Sequence, residues 1–270
     1  MHAPEPAAFD AFAQDYDRDF SATPLGQMLR KRVWRVLAQS FPAGSHVLEL
    51  ACGTGEDAIW LARRGVRVTA TDGSPQMVEQ VRAKAKASGV LDRVQVRHQT
   101  LQEICASTPS GVPYDGALSN FGGLNTLPEW STLAEALAAR LQPGARVVLV
   151  PMGPWCPWET AWMTLHGRPR DGLRRFRQPA QAVIGPTTIP IWYPSLRRLR
   201  HDLAPWFQLR HAQSLGLWLP PSYLGHLVTR FPTLFAFLNR LESKTASLTR
   251  GWGDHYIALF ERQPTVTVHR

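Results

Sequence analysis

No stretch of this chain is apolar for the eighteen or more residues that a membrane-crossing helix needs. The start, His2-Ala-Pro-Glu-Pro, carries an acid where a secretion signal needs basic residues and then an apolar core. Cysteine is scarce: Cys52, Cys105 and Cys156 stand far apart, without C-x-x-C spacing, which excludes a disulfide framework and a zinc motif. There is no internal repeat and no low-complexity tract, so solenoids and fibrous folds drop out. These absences predict a soluble, cytoplasmic protein with no metal site. Acids are also in short supply, 21 against 30 Lys and Arg, for a formal charge of +9. The surplus permits contact with nucleic acid, an anionic membrane surface or an acidic small molecule, and equally suits the solvated surface of an Arg-rich enzyme.

What is present is ordinary globular material, 44% hydrophobic and 19% charged over 270 residues. That is enough for one α/β domain carrying an insertion or cap. Apolar spacing predicts helices over Phe9 to Phe20 and Pro24 to Phe41. Short β-rich runs at Val47 to Leu50, Val66 to Ala70, Arg93 to Arg97, Tyr114 to Ser119 and Arg146 to Met152 then alternate with helical stretches, including Pro75 to Ala87 and Trp130 to Leu141. Strands separated by helices of this length imply right-handed crossovers and a doubly wound parallel sheet. Beyond Pro151 prolines punctuate a Trp- and Arg-rich stretch that reads as an insertion. Pro194 to Leu203 then reads as a helix, Trp206 to Trp218 as a strand, Pro221 to Leu241 as a helix and Asp254 to Arg262 as a last strand. The chain thus divides into an N-terminal helical cap (1–44), a binding core (45–152), a lid or acceptor insertion (153–195) and a C-terminal part (196–270) that completes the sheet, with a helical insertion at 220–250.

A strand ending in Glu49-Leu-Ala51-Cys-Gly53-Thr-Gly55 and turning into a helix is a nucleotide-binding arrangement, because glycines let a ligand approach backbone N–H groups. Dinucleotides and S-adenosylmethionine both use such turns. Glu56 and Asp57 stand where a pyrophosphate would bind, and the third glycine of G-x-G-x-x-G is missing. S-adenosylmethionine carries an ammonium and a sulfonium instead of phosphate, so the charges favour it. Nineteen residues after Gly53, Asp72 ends the second strand, where a carboxylate accepts both ribose hydroxyls. Ser74, one residue before Pro75, already serves as the helix cap.

The segments 47–55 (VLELACGTG), 68–77 (VTATDGSPQM), 114–120 (YDGALSN) and 141–150 (LQPGARVVLV) resemble, in order, the motifs of class I (Rossmann-like) S-adenosylmethionine-dependent methyltransferases. The resemblance covers about residues 45 to 152. It implies an α/β fold with a doubly wound, seven-stranded, mostly parallel sheet, the last strand antiparallel, and a helical lid insertion. It also implies that Ala51, Gly53 and Gly55 meet the methionine part, Glu49 the ammonium, Asp72 and Gly73 the ribose, Met77, Thr100 and Leu101 the adenine, and Asn120 and Phe121 the transferable methyl. Tyr16-Asp17 looks like the pair that closes over the cofactor in smaller-substrate branches. Ala51 stands where the family usually has Gly, and Thr100 where an acid is frequent.

Methyl transfer from a sulfonium needs alignment more than activation, and a base only for a poorly ionised acceptor. The family's antiparallel last strand starts on the ligand side, which makes His255 the first candidate base, followed by His166, with Tyr16 a third catalytic candidate. Trp155, Trp158 and Trp162, three and four apart, share one helical face and serve as a core staple or an aromatic acceptor wall. Arg168 to Arg200 includes eight arginines against the single acid Asp171, the pattern of a solvated basic face or of contact with an anionic acceptor, a membrane surface or RNA. Ser119-Asn120-Phe121-Gly122 lacks the Asn/Asp-Pro-Pro-aromatic pattern of enzymes that hold a flipped adenine. The resulting expectation is methylation of a small apolar or aromatic metabolite on O, N or C. An RNA or protein acceptor and a non-catalytic cofactor-binding protein are the alternatives.

Overall fold

The computed structural model describes residues 7–109, 111–184 and 187–264; the His2-Ala-Pro-Glu-Pro start lies outside them. Nine strands occur among these residues: β1 (His46–Leu50), β2 (Arg67–Asp72), β3 (Val94–His98), β4 (Tyr114–Ser119), β5 (Leu141–Leu149), β6 (Ala180–Ile184), β7 (Thr187–Ile191), β8 (Phe207–Leu215) and β9 (His255–Arg262). Seven form one sheet in the order β3-β2-β1-β4-β5-β9-β8. β9 is antiparallel to both of its neighbours, and the other six run parallel. The order reverses between β1 and β4, and that switch point opens a crevice beyond the strands' carboxyl ends.

The helices are α1 (Ala7–Ala13), α2 (Pro24–Ser40), α3 (Glu56–Arg63), α4 (Pro75–Ala87), α5 (Leu101–Ala106), α6 (Ser131–Arg140), α7 (Pro157–Leu165), α8 (Pro169–Gly172), α9 (Leu196–Leu203), α10 (His226–Arg230) and α11 (Pro232–Thr249). Both sheet faces are covered, which is why Val47-Leu-Glu-Leu50 is a continuous buried run instead of an alternating one. Leu29, Val33, Ala62 and Val81 pack on one face, and Leu133, Leu137, Leu199 and Phe260 belong to the core of the other. Thr23 and Ser74 cap α2 and α4 by accepting from the Gly26 and Met77 N–H groups (3.0 and 3.1 Å), each just ahead of a proline.

α3 starts at Gly55 with φ +80°, and a Cβ there would lie 2.7 Å from Val81 Cγ1. Gly55→Ala combines left-handed strain with that overlap, for a loss of about 2 kcal/mol and a fall in melting temperature of about 4–8 °C. A thermal melt matching the parent would mean that α3 and α4 can separate at no cost.

Four readings change. The single helix over Phe9 to Phe20 breaks after Ala13 and resumes as a wider turn, Asp17–Ser21, because Asp17 is drawn to Thr54 (2.7 Å) and Lys84. The 153–195 stretch contains α7 and α8 but also the β6–β7 hairpin. Its prolines read as loop, yet a two-stranded ribbon is all edge and tolerates Pro190 opposite Gln181. The helix over Pro221 to Leu241 is split at Phe231–Pro232, where proline starts a new helix that runs on to Thr249. Trp155 precedes α7 and stacks on Trp252 with ring centroids 5.5 Å apart, so only Trp158 and Trp162 share the helix.

Candidate functional site

A cavity of about 340 Å³ lies over the carboxyl ends of β1, β2 and β4, within the size range of small-molecule sites. Glu49 near the end of β1, the turn Ala51–Thr54, Asp72 at the end of β2, Met77 on α4, Leu101 on α5 and Asn120-Phe121 after β4 line one half. Phe9, Thr126, Met152, Ala182, Ile191 and Tyr193 line the other. The N-terminal segment is fastened across the top, with Asp10 on the Ser74 hydroxyl and Asp17 on Thr54 and Lys84. Those contacts place Tyr16 in the wall. Asn125 holds the far side: its amide donates to the Met152 and Trp192 carbonyls (2.9 and 2.5 Å), tying the exit of β7 to the end of β5.

Two carboxylates give the first half its character. Asp72 accepts from the Gly53 N–H through one oxygen (2.8 Å) and from the Ser74 N–H through the other (2.9 Å). Burial still pushes its carboxyl above the usual range. Glu49 is 1% exposed, and its Oε2 has no hydrogen-bond partner. Burial first, then the like charge of Asp57, raises the Glu49 carboxyl well above its ordinary value. The buried Asn120 Oδ1 also lacks a partner, while its amide donates to Asp57 (2.8 Å). Unpartnered acceptors around a cavity fit a ligand that brings cationic and hydroxyl donors, as S-adenosylmethionine does.

The expected repulsion of phosphate by Glu56 and Asp57 does not stand in that form. Asp57 is paired with buried Arg30 (2.8 Å) and also accepts from the Trp34 indole (2.7 Å); Glu56 is paired with Lys84 (2.6 Å). Asp57 is balanced by Arg30 and Glu56 shares Lys84 with Asp17, so the carboxyl groups left for a ligand are those of Glu49 and Asp72. Arg30, one of several basic residues on α2, lies 5% exposed with its guanidinium 4.8 Å from the Phe121 ring centre. Sequence reading had one signal for it, its position among Leu29 and Val33 on the apolar face.

The remaining sequence candidates separate clearly. Tyr16, Glu49, Ala51, Gly53, Asp72, Gly73, Met77, Thr100, Leu101, Asn120 and Phe121 all line the cavity. Gly55 does not; it serves the start of α3. Ala51 adopts φ +48°, and a Cβ on Gly123 would come within 2.5 Å of the Ala51 methyl, so Gly123 supplies the room that Ala51 takes up. The Thr100 hydroxyl, expected beside the adenine, is committed to a capping box: it accepts from the Glu103 N–H (3.1 Å) and bonds the Glu103 carboxylate (3.0 Å). His255 sits behind the wall, buried, with Nδ1 3.2 Å from Asp254 and its ring edge-on to Phe121. His166 is exposed at the end of α7, bound to the Trp162 carbonyl (2.8 Å), away from the cavity. Among the described residues no histidine lines it.

Sequence reading missed the hairpin residues Ala182, Ile191 and Tyr193 and also Arg174, whose Nε and Nη2 are engaged by Glu159 (2.8 and 3.2 Å). Glu159 is shared with Arg175, which also binds Asp254, so the lid is fastened to the start of β9.

Residues 47–144 match the methyltransferase domain family. The chain is 34% identical over 102 residues to the tRNA 5-carboxymethoxyuridine methyltransferase of Escherichia coli K12, covering 36% of this chain and 39% of that protein. It is 32% identical over 150 residues to the ubiquinone biosynthesis O-methyltransferase of Xanthomonas axonopodis pv. citri, covering 55% and 61%. The aligned part is therefore well short of either relative's full length. A solved structure described as a DhpI–SAH complex shares the fold over 96% of both chains, with a TM-score of 0.59 at 17% identity.

Proposed function

From the premise that this chain carries a class I, Rossmann-like S-adenosylmethionine-dependent methyltransferase domain, we propose that it methylates a small acceptor with an apolar or aromatic body. The observation that carries this reading is the division of one cavity into a half with two ligand-ready carboxylates and a half walled by Phe9, Met152, Ala182, Ile191 and Tyr193. S-adenosylmethionine supplies an activated methyl on a sulfonium when bound. Asp72, oriented by the Gly53 and Ser74 N–H groups, holds ribose hydroxyls; Glu49 takes the ammonium; Met77 and Leu101 give apolar surface to the adenine.

On this reading the residues on the acceptor side orient the acceptor and exclude water. Burial raises the hydroxyls of both Tyr16 and Tyr193, so at neutral pH each is a hydrogen-bond donor. Burial also pushes the Cys52 thiol well up, which removes it as a thiolate. Among the described residues no imidazole lines the wall, which favours an acceptor atom that is nucleophilic in its own right: an amine, a thiolate, a phenolate or a stabilised carbanion. Mass spectrometry of extracts incubated with the protein and methyl-labelled cofactor tests this. A labelled small molecule is expected, and label confined to RNA or protein would transfer the activity to that class.

Glu49 sets a pH dependence. Its carboxyl is raised in the folded protein, so the folded chain keeps a proton that the unfolded chain releases. The Glu49 contribution to the stability of the ligand-free protein is therefore fully present below the ordinary glutamate value and declines as pH rises toward the raised one. A cationic ligand requires the ionised form, so cofactor affinity climbs across the same window. Glu49→Gln flattens both trends and weakens binding. Calorimetry and melts over a pH series check it; a wild-type affinity that ignores pH would remove Glu49 from the ammonium site.

A further inference from the structure

α11 has an outer face that neither the sheet nor the cavity uses. Phe235, Glu242 and Ala246 are its buried residues, and Glu242, the only acid between Asp202 and Asp254, is spent on the backbone N–H groups of Gly216, Leu217 and Trp218 (3.0, 3.3 and 2.7 Å). Beside that buried face run Leu234, Phe237, Leu241 and Leu248, at spacings of three, four and seven that fall on one helical stripe. Leu234, Phe237 and Leu248 are 51%, 61% and 83% exposed. Trp218, more than a third exposed, leans on the same helix, its indole N–H donating to Thr245 (2.9 Å). Past the helix end the Trp252 N–H bonds the Thr249 carbonyl (3.0 Å), and the stacked pair Trp252 and Trp155 is half exposed. The exposed charges along α11 and its end are Arg240, Lys244 and Arg250, all of one sign.

We propose that this face docks on an anionic lipid surface, with α11 lying in the plane of the interface. Its leucines and Phe237 enter the headgroup–acyl boundary, the indoles of Trp218 and Trp252 sit at headgroup level, and Arg240 and Lys244 meet lipid phosphates. Charge selects this occupant. A two-fold contact with a second copy would set the same cations against one another, and no exposed acid on the face compensates them. No helix among the described residues is long and apolar enough to cross a membrane, so the contact is superficial. The lid helix α7 packs through Trp158 on Phe235, the inner side of the same helix, and its next residue Glu159 holds Arg174 of the cavity lining.

Co-sedimentation of the full chain with vesicles of phosphatidylcholine alone, and with part of it replaced by phosphatidylglycerol, tests the proposal. Partition is expected to be at least about tenfold stronger onto the anionic vesicles. Phe237→Ser and Leu248→Ser each reduce it by about tenfold, and Arg240→Gln and Lys244→Gln each by about fivefold, with melting temperature and cofactor affinity unchanged. Equal partition onto both vesicle types, or no sedimentation with either, overturns the proposal. So does a concentration-dependent dimer in analytical ultracentrifugation that Phe237→Ser abolishes, since the face would then belong to a second copy.

Discussion

Asp72→Ala is expected to weaken S-adenosylmethionine binding by about a hundredfold or more. Two hydrogen bonds to a charged acceptor are lost, each worth about 1.5–3 kcal/mol. The Gly53 N–H, which now donates to Asp72 at 2.8 Å, is left without its acceptor, so the turn that carries the cavity's floor loosens as well. Asp72→Asn is no gentler substitute. Both carboxylate oxygens accept from backbone N–H groups, so an amide has to aim its own NH2 at one of them, donor against donor. Titration calorimetry with both variants, beside melts of the ligand-free proteins, separates lost binding from lost folding. An unchanged dissociation constant in Asp72→Ala would take this residue out of the site.

The core of the site was legible because its chemistry is local in sequence. Glu49 to Gly55 is a strand end followed by a turn, and Asp72 ends the next strand beside it, so parallel pairing alone brings them together. The acceptor side was not legible for the opposite reason. Tyr193 and Ile191 reach the cavity through a hairpin whose prolines mask its alternation, and its position depends on Asn125, more than sixty residues earlier, gripping Trp192. His255 was placed correctly at the start of β9 but is separated from the cavity by Phe121, a layer that strand order cannot reveal. The charge argument at Glu56 and Asp57 failed because Arg30 and Lys84 come from other helices, and a count along the chain does not see partners across it.

Those partners give the largest stability effect expected outside the core. Burial works against the charge of Arg30, and the Asp57 carboxylate together with other groups nearby, Glu56 among them, offsets it, so the guanidinium stays above its usual range. Asp57→Ala leaves that cation buried and unpaired and strips the Trp34 indole and the Asn120 amide of their acceptor. A loss of about 3–5 kcal/mol follows, with a fall in melting temperature of about 6–20 °C. Adding Arg30→Met to Asp57→Ala removes the orphaned charge and recovers much of the stability, since a well-packed apolar replacement of a buried pair is often neutral. Cofactor affinity should not recover with it, because Asn120, at the cavity wall beside Phe121, still lacks its anchor. This split distinguishes a pair that only holds α2 to α3 from one that also aims Asn120. A double variant regaining both stability and affinity would assign the pair to packing alone, and a single variant melting within a degree or two of the parent would show that Asp57 is not what keeps Arg30 folded beneath Phe121.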